Sequence, residues 1–136
     1  MKHLLMTLGL LMTFLMPIQA QAEMGKPALY AISFHADWCG SCKMIGPQMI
    51  KARGKADLDN KDILFVKLDL TDGAKRHQSG LMAQALGIGD FYKDNNGKTG
   101  FVLLVDAKSG EMVGKITKEH DANAIISTLN DKISAM

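Results

Sequence analysis

The stretch "HADWCGSCKMIGP", residues 35–47, holds both cysteines of the chain. Cys39 and Cys42 are separated by Gly40 and Ser41. What flanks them decides the fold. Upstream, "ALYAISFH", residues 28–35, is apolar and aromatic with β-branched Ile32, the pattern of a buried strand. Downstream, Met44, Ile45, Met49 and Ile50 recur at helical spacing. A helix therefore begins at or just after Cys39, with Pro47 inside it as a kink. The cysteine pair lies at a strand-to-helix junction.

That junction has chemical consequences. A sulfur at the first turn of a helix meets unpaired backbone N–H groups and the positive end of the helix dipole. Both favour thiolate over thiol, and the thiolate is the attacking species. Cys39 is thus the expected nucleophile, at a strand end where it can be exposed. Cys42, one turn further in, is placed to attack a mixed disulfide on Cys39 and should be less open to solvent. Gly40 leaves the approach of a partner unobstructed. Two other uses of the pair compete with this. A tetrahedral zinc site usually needs four ligands, and outside the first residues only His35, His77 and His120 could join the cysteines. A structural staple across so short a loop removes little unfolded-state entropy. Redox chemistry is favoured over both, with no metal and no cofactor beyond the Cys39–Cys42 disulfide itself.

Working outward, Gly54 and "DLDNKD" should end the first helix. "ILFVKLDL", residues 63–70, reads as a second buried strand. Thr71 and Asp72 are helix-start residues, and Leu81, Met82, Ala85 and Leu86 supply an apolar face to a second helix closed by Gly87 and Gly89. Residues 89–100 read as a loop, in which Phe91 and Tyr92 serve as a lid on the core or, less favoured, as contacts for a partner. "FVLLVD", 101–106, and "MVGKIT", 112–117, form a hairpin. A last helix starts near Asp121 and repeats Ile125, Ile126, Leu129 and Ile133 on one face. The order is β-α-β-α-β-β-α. A helix between the first two strands implies a parallel, right-handed crossover, hence an α/β sheet with helices on both faces.

The first residues address the compartment. Lys2 and His3 precede an apolar run from Leu4 to Met16, Pro17 breaks it, and Ala20-Gln21-Ala22 has the small-x-small form of a cleavage site. That is the layout of a secretory signal peptide. The run is shorter than the roughly 20 residues that span a bilayer. Residues 1–22 are expected to be a removable leader and residues 23–136 a single domain. The product should be periplasmic or otherwise exported. The chain has 16 Lys and Arg against 14 Asp and Glu, a formal charge of +2. So even a balance gives no footprint for nucleic acid or an acidic membrane surface. With two cysteines three apart, no disulfide framework holds this fold together.

"FHADWCGSCKMIGP" closely resembles the active-site segment of the thioredoxin family, W-C-G-P-C-K followed by a proline. Trp38, Cys39, Gly40, Cys42, Lys43 and Pro47 match it. "FVKLDLTD" resembles the family's next strand, Lys67 included, and "ALGIG" the segment after the second helix. The "ADWC" and "LDLTD" pieces look more like periplasmic thioredoxin-like domains of a disulfide-reducing relay than like cytosolic thioredoxin. The resemblance implies a thioredoxin-like α/β fold. Only Glu23 to Pro27 precede the first strand, so the usual N-terminal strand and helix should be lacking and the mixed sheet four-stranded.

The departures matter as much as the matches. Where the family has a buried Asp that accepts the resolving thiol's proton, this chain has Ser33, whose hydroxyl is no base at neutral pH. Lys67 then lacks a carboxylate partner there. The aromatic that precedes the tryptophan by three residues is His35, either a stabiliser of the Cys39 thiolate or an ordinary surface residue. The family's cis-proline, which presents a backbone edge to substrates, aligns with Gly100, preceded by Thr99. A non-proline cis bond costs about 2.5–4 kcal/mol, so this backbone should be trans. Gly40-Ser41 lacks both the proline of strong reductants and a histidine that would favour a strong oxidant.

The resemblance implies an exported thiol–disulfide oxidoreductase, more reductive than oxidative. It would act as a monomer on protein thiols and disulfides and be recharged by a membrane thiol-reductase relay. The competing expectation is a non-catalytic binding module related to copper or haem, with His35, Met44 and the cysteines as soft ligands. Against it, Met44 and Met49 fit better as core residues of the helix.

Overall fold

The structure, a computed structural model, describes residues 25–136. The expected leader, residues 1–22, lies outside the described residues. Four strands form one sheet in the order β2-β1-β3-β4. They are β1 (Leu29–His35), β2 (Ile63–Asp69), β3 (Phe101–Asp106) and β4 (Met112–Ile116). β1 and β2 are parallel, with Ser33 opposite Lys67, while β1–β3 and β3–β4 are antiparallel. Helices α1 (Gly40–Ala56), α2 (Gly73–Ala85), α3 (Gly89–Asp94) and α4 (Ala122–Ser134) complete the fold.

Strand alternation divides the core between two faces. On one face Leu29, Ala31, Val102, Leu104 and Ile116 pack with Ile45 and Ala52 of α1 and Ile125 and Leu129 of α4. On the other, Ile32, Phe34, Val66, Leu68, Phe101 and Leu103 pack with Ala83 of α2 and Ile88. The expected mixed four-stranded sheet with helices on both faces is therefore present. No described helix is long and apolar enough to cross a membrane.

α1 begins where the sequence places it, with Cys39 as N-cap in extended conformation. It is continuous through Pro47 and Gly54, ending at Asp57, which takes a left-handed φ of 50° and returns its N–H to the Arg53 carbonyl. Gly54 does not end it, because packing against α4 and the core outweighs glycine's intrinsic helix penalty of about 1 kcal/mol.

Two other expectations need correction. The buried face of α2 is Ser79 and Ala83, not Leu81 and Met82, which are exposed. Small side chains let the helix settle close on the sheet, and the Ser79 hydroxyl donates to the Asp69 carbonyl at 2.9 Å. Residues 89–100 are not all loop, since α3 occupies their first half. Phe91 and Tyr92 of α3 pack on the second core face, and the Tyr92 hydroxyl donates to the Arg76 carbonyl at 2.6 Å. The lid reading of these aromatics fits that packing.

Candidate active site

β1 ends at His35, the chain turns at Ala36–Trp38, and α1 starts. The turn closes with the Cys39 N–H donating to the Ala36 carbonyl at 3.0 Å. Cys39 and Cys42 are joined as a disulfide, with Cα atoms 5.3 Å apart. The Cys42 N–H points at the Cys39 sulfur at 3.1 Å, so the capping atom of the helix is the sulfur itself. Next to it, Gly40 is exposed, and a Cβ there would meet open space.

Exposure does not separate the two cysteines. Cys39 was expected to be open, yet it is 6% exposed and Cys42 8%. The cover comes from a turn far along the chain. Gly100, with φ of 87°, lies against the pair: a Cβ on it would fall 2.7 Å from Ser41 Cβ and 3.2 Å from the Cys39 sulfur. Its N–H donates to the Phe34 carbonyl at 2.9 Å, and the Cys42 sulfur lies 3.7 Å from that same carbonyl oxygen. Peptide bonds among the described residues are all trans, as expected at Thr99–Gly100. Thr99 is partly exposed beside this turn.

A polar network that the sequence did not reveal anchors the Cys39 side. Trp38, 59% exposed, donates its indole N–H to the Thr71 carbonyl at 3.1 Å. The Asp37 N–H donates to the Thr71 hydroxyl at 3.0 Å, and that hydroxyl donates to Asp69 Oδ1 at 2.6 Å. Thr71 thus ties the turn before Cys39 to the end of β2, while Asp72 caps α2 through the Lys75 N–H at 2.9 Å. Lys75 completes the network, 3.4 Å from Asp37 and 3.6 Å from Asp69. "LDLTD" does carry a signal of sorts, because parallel β1 and β2 bring their C-terminal ends together. Polar residues just past one end can then reach the other.

These contacts set the charges. The hydrogen bond from His35, 3.3 Å away, and then Lys75 hold the Asp37 carboxyl below its ordinary range. Burial pushes Asp69 up, but the Thr71 hydroxyl and N–H, Lys75 and Lys67 outweigh it, and the net shift is downward. The hydrogen bond with Asp37 raises Lys75. Of the two readings for His35, the structure gives it a carboxylate partner, Asp37.

The Cys42 side is different. A cavity of about 310 Å³ opens there, lined by Cys42, Ser33, His35, Lys67 and Gly100 among others. Ser33 and Lys67 are ladder partners, so both face the α1 side of the sheet with Cys42. Lys43 is exposed past the pair. Met44 is 56% exposed, not a core residue, whereas Met49 packs on the core. No group of three or more metal-binding side chains is present among the described residues.

A thioredoxin-like sheet with a disulfide capping the helix after its first strand defines a class of protein built around a CxxC pair. Residues 19–87, just over half of the chain, match the family model described as Thioredoxin. The chain belongs to the thioredoxin family. Protein disulfide-isomerase of Oryctolagus cuniculus is 42% identical over 41 residues, 30% of this chain and 8% of that protein. Its counterpart in Gallus gallus is 34% identical over 47 residues, 35% of this chain and 9% of that protein. The chain spans less than a tenth of the length of these curated relatives. Among solved structures, a thiol:disulfide interchange protein from Chlorobium tepidum TLS superposes with a TM-score of 0.54 at 19% identity, covering 79% of this chain and 81% of that one. At this identity the superposition speaks for the fold alone.

Proposed function

We propose that the chain is a thiol–disulfide oxidoreductase acting on protein cysteines, with Cys39 as nucleophile and Cys42 as resolving thiol. The observation that carries this reading is the Cys42 N–H aimed at the Cys39 sulfur at the helix start. In the reduced protein the same N–H and the helix dipole favour a Cys39 thiolate. That thiolate attacks a client disulfide and releases one client thiol. The Cys42 thiolate then attacks Cys39, closes the Cys39–Cys42 disulfide and releases the second. Trp38, Gly40, Ser41 and Lys43 frame the nucleophile, and the edge at Thr99 and Gly100 receives the client backbone. The family match and the protein disulfide-isomerase relatives support this reading.

The finer reading is of an exported, monomeric protein, its leader removed near Ala22, that works reductively and is recharged by a membrane thiol-reductase relay. Its support is the leader-like sequence of residues 2–22 and the Gly40-Ser41 dipeptide. An exported environment already supplies oxidant, so a reductant is what it lacks.

Insulin-type disulfide reduction tests the activity. Cys39→Ser should abolish it, and Cys42→Ala should accumulate mixed disulfides through Cys39. Trapping through Cys42 in a Cys39→Ala protein instead would reverse the two roles. A redox titration tests direction: a potential near the roughly −120 mV of strong dithiol oxidants would overturn the reductive reading.

A further inference from the structure

Two strands of the sheet, β2 and β4, have no neighbour on their outer side among the described residues. β4 is guarded in ways that edge strands commonly are. It is five residues long, its register with β3 shifts between Leu104 and Val105, and Gly114 sits at its middle. β2 has none of these features. It runs seven residues in unbroken register with β1 and contains neither Pro nor Gly. The Asp62 carbonyl accepts from the Leu29 N–H, and the Leu70 N–H donates to the His35 carbonyl. Backbone groups alternate sides along a strand, so the even-numbered residues address β1. Phe65, Lys67 and Asp69 therefore present N–H and C=O outward, while the Ile63 N–H turns back to the Lys61 carbonyl at 2.7 Å.

The side chains along this edge restrict what can pair with it. On the α1 side, the cavity of about 310 Å³ is lined by Ile50, Phe65 and Lys67 as well as Cys42, so it runs from the disulfide to the edge of β2. Ile50 is 73% exposed and Phe65 only partly buried. On the α2 side Leu64 is exposed. Lys67 is exposed and makes no ion pair among the described residues. Its neighbour Asp69 is bonded to Thr71 and paired with Lys75. α1 above the cavity carries Lys43, Lys51, Arg53 and Lys55 and no acid. The edge thus asks for an extended backbone with apolar side chains and an acid. A second copy of β2 fits poorly. Its full-length twofold register, Val66 opposite Val66, sets the two Lys67 ammoniums diagonally on one face about 7–8 Å apart, with no free acid to separate them. We propose that β2 is a docking edge for an extended segment of the protein that exchanges disulfides with this chain. The segment adds as an antiparallel strand, with an acidic residue opposite Lys67 and apolar residues opposite Phe65 and Leu64. The side chain opposite Phe65 then enters the cavity that Cys42 lines. The identity of the partner rests on the oxidoreductase reading, whereas the edge itself does not.

The probe is the peptide acetyl-Thr-Thr-Glu-Val-Ile-Val-Thr-amide, titrated into oxidised, full-length protein and followed by amide hydrogen exchange. Saturating peptide should slow the Phe65 and Lys67 amides at least tenfold, while the Leu64 and Val66 amides, which address β1, keep their rates. Absence of binding would overturn the proposal. So would protection of Phe65 and Lys67 before peptide is added, which would mean that a second copy or residues 1–24 already cover the edge. N-methylation of the peptide's Glu and Ile amides, which face β2 in this register, should abolish binding, whereas N-methylation of its two Val amides should leave it. Equal effects of the two modifications would overturn strand addition. Lys67→Glu should weaken binding about fivefold and favour the peptide with Lys in place of Glu. An unchanged preference would overturn the register. Reduction of a cystine peptide then tests the partner. Joined to the segment through a Gly-Ser linker, it should show a KM at least tenfold lower than when joined to the segment methylated at Glu and Ile, with kcat nearly unchanged. Equal KM values despite peptide binding would overturn the client's place at the edge. Peptide binding to a protein that reduces neither client would support the edge and sink the oxidoreductase reading.

Discussion

The two sulfurs of one disulfide face opposite kinds of surroundings. Around Cys39 the turn is over-determined: Trp38 and Asp37 are tied to Thr71, Thr71 to Asp69, and Lys75 to two carboxylates. Around Cys42 there is a cavity with Ser33 and Lys67 on its wall and no acid among its lining residues. The contrast teaches that the two ends of one disulfide are held differently, one by polar ties to the end of β2 and one beside open space. Polar bonds fix the turn that leads into Cys39, and the helix start presents the Cys42 N–H to its sulfur. The Cys42 sulfur has the Phe34 carbonyl oxygen nearby and a cavity beside it.

The largest test of this contrast acts where both sulfurs share a neighbour. Gly100→Ala adds a Cβ in collision with Ser41 and near the Cys39 sulfur, at a φ of 87° that L-residues rarely adopt. Backbone strain of roughly 1–2 kcal/mol and overpacking of about 1–3 kcal/mol should combine. Urea unfolding should show a loss of about 3 kcal/mol, with slower exchange by the surviving fold. A variant as stable as the native protein would mean that the turn does not press on the pair.

Next comes the Cys39 side alone. Thr71→Val removes the hydroxyl that bridges Asp37 and Asp69 but keeps the carbonyl used by Trp38. The loss should be about 1 kcal/mol, since the site is only partly buried. Thr71→Ser should restore it. Hydrogen exchange at the Asp37 amide should quicken in the valine variant, while exchange at the Cys42 amide stays near native. Equal effects at both amides would dissolve the distinction between the two sides.

The smallest effect is on pH dependence. Asp37 and Asp69 have folded pKa values below their unfolded ones, about 3.9. Their contribution is complete above that value and is lost as pH falls through the depressed folded values. Lys75 is raised, so its contribution is complete below about 10.4 and is lost as pH rises beyond it. The urea midpoint should therefore decline below about pH 4, less steeply in Asp69→Asn, and Lys75→Met should flatten both limbs. Asp37 is exposed and Lys75 and Asp69 are only partly buried, so the slopes will be shallow. An unchanged acid limb in Asp69→Asn would remove that carboxylate from the network.

Much of the fold and the reactive pair could be read directly from the chain. Strand and helix periods around Cys39 and Cys42, the hairpin at residues 101–116 and the amphipathic last helix are local patterns, and local patterns survive folding when every level agrees. The α2 face is hidden from local pattern, because Leu81 and Met82 are the larger apolar residues there, while the sheet selects the small Ser79 and Ala83 for close approach. What only tertiary structure decided is the setting of each sulfur. Gly100 reaches the disulfide from more than fifty residues away, Thr71 bonds Trp38 across 33 residues, and Ser33 meets Lys67 through strand pairing. Such contacts depend on parallel β1 and β2 ending side by side and on β3 starting next to β1. The sequence by itself therefore determined the helix-capped pair, because capping is set by neighbours in the chain. The cover over Cys39, the network beside it and the cavity beside Cys42 came from the sheet, because register places side chains that no local pattern relates.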